Sequence, residues 1–306
     1  MDLFLVSLIN GLSYGMLLFL LSSGLTLIYS LMGVLNFAHA AFYVLGAYLA
    51  FGISQLLGFW MALVLAPALT AALGALFEWH VLRRMRSQGH MAEMLVTFGL
   101  ALVLLEAVQL IWGTGPVNYR VPEQLDGVIW QVWGAALPAY RVFIMGVALL
   151  VLLALALALR LSQVGLVVKA ALTHPQMVQA LGHDVPRVFM GVFALGCGLA
   201  AMAGVLGGNA FVTEPGMATS IAGVLFSVIV IGGLGSLAGA LMASLLIGLL
   251  QTLAVGVDSS LGVALGLPGH WALSQIKFSQ LAPMLPYALL VLVLVIRPRG
   301  LFGQRA

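Results

Sequence analysis

Asn36, Phe37, His39, Thr97 and Glu106 stand out chemically because they interrupt or dot long apolar runs. An amide, an imidazole, a hydroxyl and a carboxylate in such runs are costly unless each finds a partner or meets a polar solute. Residues 33–39, reading GVLNFAH, break the apolarity outright. Two readings of His39 stand side by side: it hydrogen-bonds a carbonyl freed where a helix ends, or it lines a substrate path. Glu106 is a functional candidate as an acid within a span, yet it lies only about two turns from Trp112, close enough to snorkel to the interface. These five residues form the expected substrate path.

Other patterns yield less. Gly11-Leu12-Ser13-Tyr14-Gly15 fits the G-x-S-x-G of hydrolase nucleophiles, but no strand precedes it. The same spacing makes Gly11 and Gly15 a G-x-x-x-G face for close helix packing, and that reading is kept. Gly233-x-Gly235-x-x-Ala238 resembles a dinucleotide fingerprint but lacks a surrounding βαβ unit and the acid expected about twenty residues on. Gly232, Gly233 and Gly235 are therefore read as helix-packing residues. No phosphate loop and no H-E-x-x-H occurs, the six histidines are scattered, and Cys197 is the single cysteine. No metal site, catalytic residue or cofactor is expected on this chain. There is also no ladder of spaced arginines and no TVGYG filter.

The elements that position these residues follow from composition. With 63% hydrophobic and 7% charged residues and a mean hydropathy of +1.16, the chain belongs in a bilayer. Its apolar runs are long and unbroken, so helices and not a barrel fill the membrane. The expected fold is an all-α polytopic bundle of about nine spans in a single domain, 1–306. The spans are 3–31, 40–57, 59–82, 91–112, 140–159, 188–206, 217–231, 237–255 and 281–296. The first run exceeds the hydrocarbon thickness, which implies tilt or a break. Met1-Asp2 supplies no positive leader, so this run is expected to stay as a span.

Nine of the twelve Lys and Arg fall on one side: Arg83, Arg84, Arg86, Arg160, Lys169, Arg187, Arg297, Arg299 and Arg305. That asymmetry predicts an outside N-terminus and an inside C-terminus. It also explains the pI near 9.2 without nucleic acid. External loops are expected at 113–138 and 257–280. The inner loop 160–187 has a helical pattern of its own: Pro175 suits a first turn, and Gly182 ends the run. It is read either as a docking helix for a soluble partner or as an ordinary interfacial loop.

Several motifs in order carry a family resemblance. Asn36-Phe37-Ala38-His39 resembles the NFAHG of permeases of the branched-chain amino-acid, or LIV-type, ABC import systems. Gly232-Gly233-Leu234-Gly235-Ser236 with Gly239-Ala240 resembles their GGxGS-x-x-GA. Glu78, Arg83 and Arg86 are similar to their ExxxxRxxR. Gly165, Ala180-Leu181-Gly182, Arg187-Val188, Ala200-Ala201, Gly204 and the ending Arg297-Pro298-Arg299-Gly300-Leu301 also follow the family.

The resemblance implies a non-catalytic permease subunit, multi-pass in a bacterial inner membrane. Its implied partners are a sibling permease in a heterodimer, two ATP-binding subunits that carry ATP and Mg, and a periplasmic substrate-binding protein. By the same resemblance Pro175, Gln176, Met177, Gln179, Ala180, Leu181 and Gly182 would seat on an ATPase subunit and drive alternating access. The implied cargo is a branched-chain or other hydrophobic amino acid, with urea, short amides and small organic acids as alternatives. Ala40, Thr173-His174-Pro175, Val224 and Ala238 depart from the family pattern and bear mostly on cargo. Two other classes remain distinguishable by experiment: a secondary transporter or channel, and an intramembrane hydrolase using Ser13.

Overall fold

The first apolar run folds as one unbroken helix, α1 (Asp2–Met32), in a computed structural model that describes residues 2–33, 35–132, 135–161, 163–173, 175–257, 260 and 275–303. At 31 residues it is about 46 Å long, and none of its glycines breaks it. Those glycines are contact points instead. A Cβ on Gly11 would lie 2.9 Å from the Leu249 backbone, and one on Gly15 would lie 2.9 Å from that of Leu245. Both neighbours belong to α10 (Leu237–Gly256), which runs antiparallel to α1 along its length.

The remaining helices are α2 (His39–Leu57), α3 (Phe59–Phe77), α4 (His90–Trp112), α5 (Ala139–Leu161), α6 (Gln163–Thr173), α7 (Pro175–Ala180), α8 (Val185–Ala210), α9 (Met217–Gly232) and α11 (Leu285–Ile296). Among the described residues, eight helices are long and apolar enough to cross a membrane; the apolar α9, at 16 residues, is shorter. α3 runs on through a π-helical turn (Glu78–Leu82) to Gln88, so the third span extends past the expected boundary. The turns Phe278–Leu281 and Ala282–Met284 lead into α11.

The way α4 buries itself identifies the solvent. Its buried residues are Glu93, Thr97, Ala101 and Val108, a stripe at helical spacing, while Leu95, Phe98, Leu102, Val103, Leu110 and Ile111 are exposed. A helix that hides polar and small groups and displays large apolar ones is inverted relative to a water-soluble helix. Its outer face suits lipid or another apolar surface.

The core lies where α1, α2, α3 and α8 meet, and small residues permit the approach. Gly46 faces the Ala201 backbone, Gly204 abuts the Tyr43 carbonyl, and Gly74 faces Cys197. The end of α9 crosses the start of α10 through Gly232 and Gly239, each backbone resting on the other. Gly233 and Gly235 have φ of +96° and +82°, which only glycine adopts without strain. The chain after α11 docks there: Leu301 N donates to Ile231 O at 2.8 Å and Phe302 N to Gly232 O at 3.0 Å.

Two loop expectations need correction. The stretch 113–138 contains two antiparallel strands, β1 (Val128–Val132) and β2 (Ala135–Pro138), which pair Val128 with Pro138 and Trp130 with Leu137. The loop 160–187 holds two helices, α6 and α7, instead of one. Most of the expected loop 257–280 lies outside the described residues.

Candidate functional site

Four of the five residues singled out for a substrate path meet where α1 gives way to α2. Asn36 Oδ1 accepts from Ala38 N at 3.0 Å, and Asn36 O accepts from His39 N at 3.1 Å, a local turn that starts α2. His39 Nε2 lies 2.9 Å from Leu21 O. A carbonyl can only accept, so Nε2 carries the proton. Phe37 N donates to Thr97 Oγ1 at 3.3 Å, and that hydroxyl donates to Met94 O at 2.9 Å, tying the reversal to α4. Asn36, His39 and Thr97 are buried, and Phe37 is 49% exposed. Glu106 lies further along α4 with an exposed side chain. None of the five lines the cavity that runs beside the first half of α1.

That cavity, about 780 Å³, lies along the first half of α1. Ser7, Asn10, Ser13, Tyr14 and Leu17 form its α1 wall, a depth of about 15 Å. From Leu17 to Ile28 every residue of α1 is buried, so the space closes at the helix midpoint. The opposite walls come from the start of α5, the α8–α9 connection and the end of α10, and Asp126, Gly127 and Pro138 at the strand pair also line it. Tyr140 helps to fix the wall by donating to Leu206 O at 2.8 Å. In the adjoining loop, burial pushes the Tyr119 phenol above its ordinary range, so it stays neutral. The cavity is not legible in the sequence because its polar members come from many separate segments, from α1 and α2 to the turn at Ser279.

The arginine-rich end carries a second polar cluster. Arg86 Nη2 is 2.7 Å from Glu78 Oε1, and Arg86 Nε is 3.6 Å from Glu93 Oε1. His90 Nδ1 approaches Glu93 Oε2 at 3.3 Å, and the Arg86 guanidinium lies 4.5 Å from the Phe189 ring centre. The cluster joins the end of α3, the start of α4 and the start of α8. Glu78 and Glu93 are 0% and 2% exposed. Glu78 and Glu93, and not Glu106, are therefore the acids buried in α3, its π turn and α4. The signal for Glu93 was its place at helical spacing from Thr97 and Ala101.

Immediately before α8 stands α7, a six-residue helix closed by Gly182 at φ +86°. Val178 is its anchor, packed with Ala171 and Val185 and against Phe189. Gln176, Met177, Gln179, Ala180, Leu181 and Gly182 are all exposed, Met177 by 66% and Leu181 by 78%. Among the described residues no cluster of His, Cys, Asp and Glu is arranged to hold a metal ion.

A predominantly helical bundle with eight helices of membrane-crossing length and apolarity, and a cavity beside α1, is the architecture of a polytopic membrane protein. The family model described as "Branched-chain amino acid transport system / permease component" matches residues 7–294, and the chain belongs to that family. It is 27% identical to the high-affinity branched-chain amino acid transport system permease protein LivH of Escherichia coli K12, over 98% of this chain and 96% of that one. It is 28% identical to the corresponding protein BraD of Pseudomonas aeruginosa PAO1, again over 98% and 96%. The protein is accordingly a multi-pass inner-membrane permease component.

Proposed function

We propose that this chain is the transmembrane subunit of an ATP-driven importer for branched-chain or other hydrophobic amino acids. Its N-terminus faces outside and its C-terminus inside, as the basic residues favour. It binds no nucleotide itself. ATP and Mg act on two partner ATP-binding subunits, a sibling permease completes the membrane pore, and a periplasmic binding protein delivers cargo. The family match and the names of the relatives support the cargo class.

The observation that carries the mechanism is α7. A free helix this short is not stable by itself, yet here one buried valine holds it and Gln176, Met177, Gln179 and Ala180 are offered outward. Met177 and Leu181 are the apolar part of that surface, suited to a groove on an ATP-binding subunit. α7 leads directly into α8, the central helix against which α1, α2 and α3 pack. A push on α7 is thereby delivered to the core. With this orientation the cavity along the first half of α1 opens outward and is sealed inward, which is one end state of alternating access.

The test is reconstitution of the complete system in liposomes. Leucine uptake should require ATP, and Gly182→Val, which forces a branched residue into a left-handed conformation, should lower leucine-stimulated ATP hydrolysis about tenfold by displacing the α7 end. Leucine uptake by this chain alone, without ATP, would instead identify a secondary transporter or channel.

A further inference from the structure

Arg141 opens α5 and lines the cavity with a half-buried side chain. Among the described residues it makes no ion pair and no hydrogen bond. Its position adds to the cost, since the first turn of a helix is its positive end and disfavours a cation. A guanidinium partly removed from water and set against a helix dipole calls for an anion. Asp126 lines the same cavity with an exposed carboxylate, yet the two opposite charges do not pair with each other. A third polar group in the wall is also open: Gln251 Oε1 is buried without a donor, although its Nε2 donates to Ala282 O at 3.3 Å.

We infer that this cavity is a resting site for a zwitterionic amino acid in transit, with Arg141 binding the carboxylate and Asp126 the ammonium. The side chain of the amino acid then lies against Leu17, Ile144 and Ile221, the apolar part of the wall. The inference rests on the proposed function and extends it by assigning which residues of this chain read the cargo. Arg141 carries specificity because a planar fork holds a carboxylate through two parallel hydrogen bonds, which a lysine cannot reproduce. A neutral amide such as urea would leave both charges unanswered, so the site selects against it.

The complete transport complex in nanodiscs, nucleotide-free, supplies the test. The single native cysteine of this chain, Cys197, is buried, so Ser220→Cys in the cavity wall gives this chain one accessible thiol for a charged methanethiosulfonate reagent, read on this chain's own band against the parent. Leucine at millimolar concentration should slow labelling about tenfold, in line with one charge-assisted contact, while leucinol, which lacks the carboxylate, should not. Adding Arg141→Gln should remove the protection, and Arg141→Lys should retain part of it. Equal protection by leucine in Arg141→Gln, or equal protection by leucinol in the parent, overturns the inference. The first of these is also the outcome if Arg141 only serves a lipid phosphate. The leucinol comparison stands even if Arg141→Gln fails to assemble. Intact ATP-driven leucine uptake alongside such a result would sink this assignment alone, whereas absence of leucine uptake in the parent complex would sink the proposed function with it.

Discussion

Arg86→Ala is expected to destabilise the protein by about 3–5 kcal/mol, a large part of the stability of a typical domain. Arg86 is the one guanidinium shared by two buried carboxylates, at 2.7 Å from Glu78 and 3.6 Å from Glu93. Removing it leaves Glu78 with only the more distant charge of Arg83 and Glu93 with only His90. It also strips the cation from the Phe189 face and so loosens α8 from the end of α3. The melting temperature of the detergent-solubilised protein, followed by loss of its monodisperse peak, should fall sharply. The triple change Arg86→Met, Glu78→Gln, Glu93→Gln should recover most of the loss, because much of the penalty is buried unpaired charge. A single variant as stable as the parent would show that the cluster is solvated.

Gly204→Ala should be nearly as damaging, about 3 kcal/mol, whereas Gly99→Ala should be neutral or slightly stabilising. A Cβ at Gly204 runs into the Tyr43 carbonyl and comes within 2.9 Å of the Ala47 amide. Both are backbone atoms of α2, so no rotamer change relieves the contact, and α2 must move away from α8. Gly99, on the outward face of α4, has nothing within 4 Å of a Cβ. The pair holds the chemistry constant and varies only the neighbour. Equal melting temperatures for the two variants would contradict the close α2–α8 contact.

How much of this was legible in the sequence depends on the kind of signal. Long apolar runs fix helices because the bilayer leaves the backbone no other partner, so the spans were readable and only their ends moved. The third span passed its expected end at residue 82 because the helix runs on from the π turn through Arg83 and Arg86. The stub α7 was readable because Pro175 and Gly182 mark its two ends. The pair of strands β1 and β2 was not foreseen, since its alternation is short and interrupted by tryptophan and glycine. Site chemistry was less legible than fold. A polar residue at a helix break looks the same in sequence whether it serves the backbone or a solute; Asn36 and His39 bond to local carbonyls and amides in this structure. Nothing in the linear sequence brings Arg141 and Asp126 together; the fold does so by converging many segments on one cavity.

In the function proposed for this chain, energy enters through α7 from the inner face. A cysteine at Met177, on a background where Cys197 is buried, tests it by cross-linking in membrane vesicles of defined sidedness. The thiol should react with impermeant reagent only in inside-out vesicles and cross-link to a nucleotide-hydrolysing subunit. Labelling from the outer face of intact cells, with no adduct to such a subunit, would contradict it.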